Sequence, residues 1–78
     1  QGDLQSQFNL AMLYAAGEGV PRDFTEAFKW LAIASERGNK RAVQESALLR
    51  IQMTAEQIEE ARRRAAEFAK KPASPAQP

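Results

Sequence analysis

The 78 residues contain no cysteine and no histidine. Without thiols the chain forms neither a disulfide framework nor a thiolate zinc site. Without imidazole it lacks the commonest general base and the commonest metal ligand at neutral pH. No apolar run approaches the roughly 18 residues of a membrane span. Charge of one sign is also lacking overall, since the formal net charge is +1. That charge is unevenly spread, with −3 over residues 1–36 and +4 over residues 37–78. Glycine is scarce, and its four occurrences stand where helical spacing breaks: Gly2, Gly17, Gly19 and Gly38.

Those breaks mark a repeat. Gly2-Asp3 and Gly38-Asn39 each precede a run with helical spacing, and they lie 36 residues apart. That period is close to those of helix-pair solenoids. Solenoids build extended surfaces for other proteins and rarely carry chemistry of their own. A chain this short buries only about 60% of its unfolded surface, so a lone core is marginal. Two helix pairs are also fewer than the roughly three repeats of a stable array. The chain starts at Gln1, and the expectation is the end of a longer array.

Asp3 is the expected N-cap of a first helix, where Leu4, Phe8, Ala11, Met12 and Ala15 recur at helical spacing. Leu10 and Tyr14 extend the apolar surface to a second face, which asks for two neighbours. Gly17 is placed to end that helix with positive φ, and Gly19 relieves a second tight position. Val20 precedes Pro21 and is expected to plug the end of the helix pair. Asp23-Phe24-Thr25-Glu26 has the form of a capping box, with Glu26 reaching back to the Asp23 amide.

Ala27, Phe28, Trp30, Leu31, Ala34 and Ser35 fill the second helix, and Gly38 ends it. Asn39 then caps a third helix from about Lys40 to Ile51, with Ala42, Val43, Ala47, Leu48 and Leu49 inward. Thr54 and Gln57 form a second capping box. The fourth helix, to about Lys70, has a narrow stripe of Ile58, Ala61, Ala65 and Phe68 under a charged back. A terminal capping helix needs that pattern. From Pro72 onward Ala, Ser, Pro and Gln dominate, and residues 72–78 are expected to be a disordered tail.

The run Gly2-Asp3, Leu10, Tyr14, Gly17, Gly19, Val20, Asp23, Ala27, Trp30, Ala34 and Gly38 resembles the Sel1-like repeat family, a subclass of the tetratricopeptide-like helical repeats. The resemblance covers about half the chain. Ser6 and Ser35 stand where the family usually has Ala, and Ala11 where it has Gly, which is expected to set the helices slightly further apart. The second unit keeps Gly38-Asn39 but lacks the Tyr and the Gly-x-Gly-Val turn. Its Met53-Thr54-x-Glu56-Gln57-Ile58 run resembles the terminal helix after the last repeat in many bacterial members.

The expected fold is therefore all-α, an α/α solenoid of two antiparallel helix pairs. Residues 1–38 are the repeat, and residues 39–71 a degenerate repeat that caps the array. The resemblance implies a bacterial protein in the periplasm or cytoplasm, with a lean to the periplasm.

Several residues invite sharper readings. Trp30 is read as a filler of the inter-repeat seam rather than a ligand platform, and the Tyr14 hydroxyl as hydrogen-bonded there. Arg62-Arg63-Arg64 lies within a turn of Glu56, Glu59, Glu60 and Glu67, so it reads as a solvated, self-paired face. No aromatic residue interleaves with these arginines, so nucleic acid is not an expected partner. Glu18 has no activated nucleophile beside it. Glu59 and Glu60 point about 100° apart on a helix and form no catalytic dyad. Catalysis, cofactors and metals are not expected.

The function implied by the resemblance is protein–protein interaction, as a scaffold or adaptor. The partner is expected on the surface lined by the first helix of each pair, at Gln5, Gln7 and Asn9, and at Arg41, Gln44 and Glu45. Two alternatives stand beside it. One is a purely structural cap. The other is an electrostatic tether to acidic membrane or cell-wall polymer through residues 62–71. The opposed charges of the two halves allow weak, salt-screened self-association.

Overall fold

The computed structural model describes residues 4–70 of the chain, and side chains within 5–68. The expected caps at Gly2-Asp3 and the tail 72–78 lie outside the described residues. Four helices follow in order: α1 (Leu4–Ala16), α2 (Phe24–Glu36), α3 (Lys40–Arg50) and α4 (Ala55–Lys70). The described residues contain no strand.

Local chemistry sets the helix ends. The Gly17 amide donates to the Leu13 carbonyl at 2.7 Å, and Gly17 has φ +75°. A Cβ there would stand 3.1 Å from the Cβ of Arg22, so glycine is needed for both conformation and space. Asp23 caps α2, accepting from the Glu26 amide at 3.1 Å. Asn39 caps α3, accepting from the Ala42 amide at 3.1 Å. At α4 the box is reciprocal. Thr54 Oγ1 accepts from the Gln57 amide at 3.1 Å, and Gln57 Oε1 accepts from the Thr54 amide at 3.0 Å.

The box expected at α2 closes on one side only. The Asp23 amide donates to the Tyr14 carbonyl at 3.0 Å, which ties the turn back onto α1. Its donor is thus satisfied, and the Glu26 carboxylate is free for other partners.

Helix α2 is the centre of the molecule, packing against α1, α3 and α4. Its buried residues, Ala27, Phe28, Leu31, Ile33 and Ala34, accordingly spread beyond one stripe. Ala27 and Ala34 are fully covered, and their small side chains allow close helix approach. Phe8 and Ala11 of α1, Ala42 and Leu49 of α3, and Ala61 of α4 complete the buried cluster. Met53, in the turn before α4, also belongs to it. Met53 stands just before the Thr54 cap and Ile58 in the fourth helical position, where a hydrophobic staple is made. Val20 is half-buried and is not part of this cluster.

Two contacts give the direction of α4. Arg64 Nη1 donates to Glu26 Oε1 at 2.9 Å. One turn further along both helices, the Trp30 and Phe68 rings meet edge to face, with centroids 5.3 Å apart. The same offset of 38 residues recurs in the same order, so α4 runs parallel to α2. It stands to α2 as the second helix of one repeat stands to that of the next.

Helix α3 departs from the sequence expectation. Ala42 and Leu49 are buried, but Val43, Ala47 and Leu48 face outward, Leu48 being 58% exposed. Ile51, just past the helix, is 79% exposed. The reason is geometric. α3 lies on α2 through one narrow, small-residue face, and no described helix covers its other side.

Candidate functional site

Helices α1 and α3 share one side of α2 and flank a groove of about 290 Å³. Met12 and Ala15 of α1 form one wall, and Leu48 with Glu45 of α3 the other; Leu31 of α2 is at the floor. Arg22 and Gln52 supply further polar rim. Beyond this groove the Arg41 guanidinium lies 5.3 Å from the Phe8 ring centroid. Phe8 thus faces Arg41, and the segment 12–15 faces 45–48, so α1 and α3 also run parallel.

The candidate positions divide. Gln5 and Asn9 are exposed, and Gln5 Nε2 donates to Asn9 Oδ1 at 3.1 Å. One helical turn separates them, so this bond fixes both amides on one face of α1. Arg41 and Gln44 are exposed and Glu45 half-buried. Gln7 does not join them. It is buried, and its Oε1 has no hydrogen-bond partner among the described residues. It points from the opposite side of α1, as a residue two positions from Gln5 must. Leu48 and Gln52 were missed as lining residues. The spacing of Arg41, Glu45, Leu48 and Gln52 was the available signal, since it makes one helical stripe.

Trp30 sits at the α2–α4 seam, half-buried between the Phe68 ring and the Lys29 ammonium, whose Nζ lies 4.2 Å from the ring centroid. Its Nε1 is buried without a partner. Tyr14 packs half-buried against the core.

Glu26 is the electrostatic hub of the seam. Lys29 Nζ is 2.7 Å from one carboxylate oxygen and Arg64 2.9 Å from the other. Burial alone pushes the Glu26 carboxyl up, but the Lys29 ammonium and the Arg64 guanidinium outweigh it and hold it below its ordinary value. Arg64 also bonds Glu60 at 2.9 Å, and Arg63 pairs with Glu60. Two of the three consecutive arginines are thus ion-paired with these acids.

A first helix ends at Gly17, the turn ties back to Tyr14, Asp23 caps a second helix, and Gly38 with φ +101° ends that one. This is a complete helix-pair repeat. Residues 4–39 match the Sel1 repeat. The packed helix pair is consistent with a tetratricopeptide-like helical repeat. Comparison with curated proteins and with solved structures gives no match.

Sel1 repeats generally mediate protein–protein binding and are a non-catalytic repeat family. Among the described residues no three His, Cys, Asp or Glu side chains gather as a metal site. No described helix is long and apolar enough to cross a membrane.

Proposed function

We propose that the chain is an adaptor segment whose partner protein docks in the groove between α1 and α3. The observation that carries this reading is Leu48. It is 58% exposed on the wall of the groove, where an uncovered leucine gains from contact with a partner. Arg22, Glu45 and Gln52 at the rim, with Arg41, Gln44, Gln5 and Asn9 beyond it, supply polar contacts that select the partner. Gln7 is excluded from the contact set by its burial. On this reading α3 and α4 also close the repeat array on the side away from α1.

The tether alternative has less support, because Arg63 and Arg64 are already engaged by Glu60 and Glu26. The deciding experiment is crosslinking from a photoreactive residue at Gln52 and, in parallel, at Glu59 on α4. The expected outcome is a protein adduct from position 52 that Leu48→Asp abolishes, with none from position 59. Adducts from position 59 alone would refute the docking face.

A further inference from the structure

We infer that the cleft between α3 and α4 receives an apolar side chain and an adjacent carboxylate from an acidic segment of a partner protein. This inference rests on the chain being a protein-binding module, but it names a different surface from the α1–α3 groove.

Helices α3 and α4 both lie on α2 without packing closely on one another, and the space between them is a cleft of about 340 Å³. That is at the low end for a ligand site, with room for one or two side chains. Its floor is apolar. Phe28 and Ala65 are buried, and Ala32 is half-buried beside them. An apolar group seated there leaves water without displacing a bound polar partner, and this supplies the binding energy.

The mouth determines the charge of the occupant. Arg50 of α3 and Arg62 of α4 line the cleft from opposite walls, and both are exposed. Neither has an acidic partner among the described residues. The contrast within α4 is informative. Arg63 and Arg64 are ion-paired with Glu60 and Glu26, whereas Arg62, their neighbour, lines the cleft without an acidic partner among the described residues.

The other polar groups of the wall do not compete for an anion. The Ser35 hydroxyl donates to the Ala32 carbonyl at 3.0 Å, and the Ser46 hydroxyl to the Val43 carbonyl at 2.9 Å. Their protons are spent within their own helices. The two guanidiniums are therefore the anion donors of the cleft, and their forked geometry fits a carboxylate.

Glu36 on the same lining restricts the occupant further. With it the mouth carries one unit of positive charge, enough for a single carboxylate and unfavourable for a chain of phosphates. The cleft lining also offers no exposed aromatic face on which a base stacks. A protein segment thus fits the lining, and nucleic acid does not.

The test uses the 78-residue chain, observed by amide NMR during titration with acetyl-Phe-Glu-amide. The controls are acetyl-Phe-Gln-amide and a decamer of deoxythymidine. We expect saturable shifts at Ser35, Ser46 and Ala65 from the glutamate peptide, with a dissociation constant on the order of millimolar for so small a ligand. The glutamine peptide and each of Arg50→Gln and Arg62→Gln should bind roughly threefold or more weakly, as expected for loss of a partly exposed ion pair. Both arginines are exposed, and an unchanged circular dichroism spectrum verifies the fold of each variant.

Equal binding of the two peptides, or binding unaffected by both substitutions, overturns the proposal. So does tighter binding of the decamer at physiological salt. Shifts confined to Ala15, Gln44 and Gln52 overturn the cleft while supporting the α1–α3 groove. Silence at both surfaces overturns the cleft and leaves the groove to the crosslinking experiment.

Discussion

Replacing Trp30 with alanine tests how α4 is held on the molecule. The ring is half-buried against Phe68 and under Lys29. A tryptophan buries at most about 250 Å², so half-burial covers on the order of 100 Å², or about 2.5 kcal/mol. The edge-to-face contact adds about 1 kcal/mol. The Lys29 cation over the ring adds about 0.5 kcal/mol, since its ammonium is also paired with Glu26. The expected loss is about 3–4 kcal/mol.

A domain of this size holds about 4–12 kcal/mol in total, and a small one lies near the lower end. Trp30→Ala should therefore bring the chain to the edge of unfolding at room temperature. Urea titration followed by far-ultraviolet circular dichroism measures it. A double-mutant cycle with Phe68→Ala should return a coupling of about 1 kcal/mol. Trp30→Phe should be far milder, because it removes the Nε1–H that has no partner. A loss below about 1 kcal/mol for Trp30→Ala, or no coupling to Phe68, would show that the seam does not depend on this ring.

The remaining predictions concern the seam charge and the turns. Glu26 has a depressed pKa in the fold. Its contribution to stability is thus complete above the unfolded value of about 4.3 and is lost as pH falls through the lower folded value. Glu26→Gln should accordingly destabilise by about 1 kcal/mol at pH 7 and flatten the stability loss below about pH 4. An unchanged acid profile in urea titrations would count against the pairing. Gly17→Ala should cost about 1–2 kcal/mol for its positive φ and more from the 3.1 Å approach to Arg22. Gly38→Ala, with nothing within 4 Å of the added Cβ, should cost only the strain. Equal melting temperatures for the two variants would refute the contact argument. Thr54→Ala should cost about 1 kcal/mol through loss of the reciprocal cap, measured as a lowered melting midpoint; no change would mean that the α4 terminus frays in the native state.

The sequence by itself determined where the second, third and fourth helices start and where the first two end. Asp23, Asn39 and Thr54 cap as their residue types require, and Gly17 and Gly38 adopt the left-handed backbone they favour. These interactions reach no further than three or four residues, so local chemistry decides them. The match of residues 4–39 to the Sel1 repeat is likewise a property of the sequence alone.

Tertiary structure decided which faces are covered and which charges meet. The apolar residues Val43, Leu48 and Leu49 look alike in sequence, yet only Leu49 is buried. Ile33 is buried because α2 has neighbours on three sides. Glu26 looks like a capping residue, but a carbonyl from α1 takes the Asp23 amide and a guanidinium from α4 takes the carboxylate. Arg62, Arg63 and Arg64 are identical in sequence terms and differ only in which neighbour the helix turns them toward. Each outcome depends on a partner many residues away in the chain. Helical periodicity gives the direction of a side chain about its own axis but not what stands opposite it.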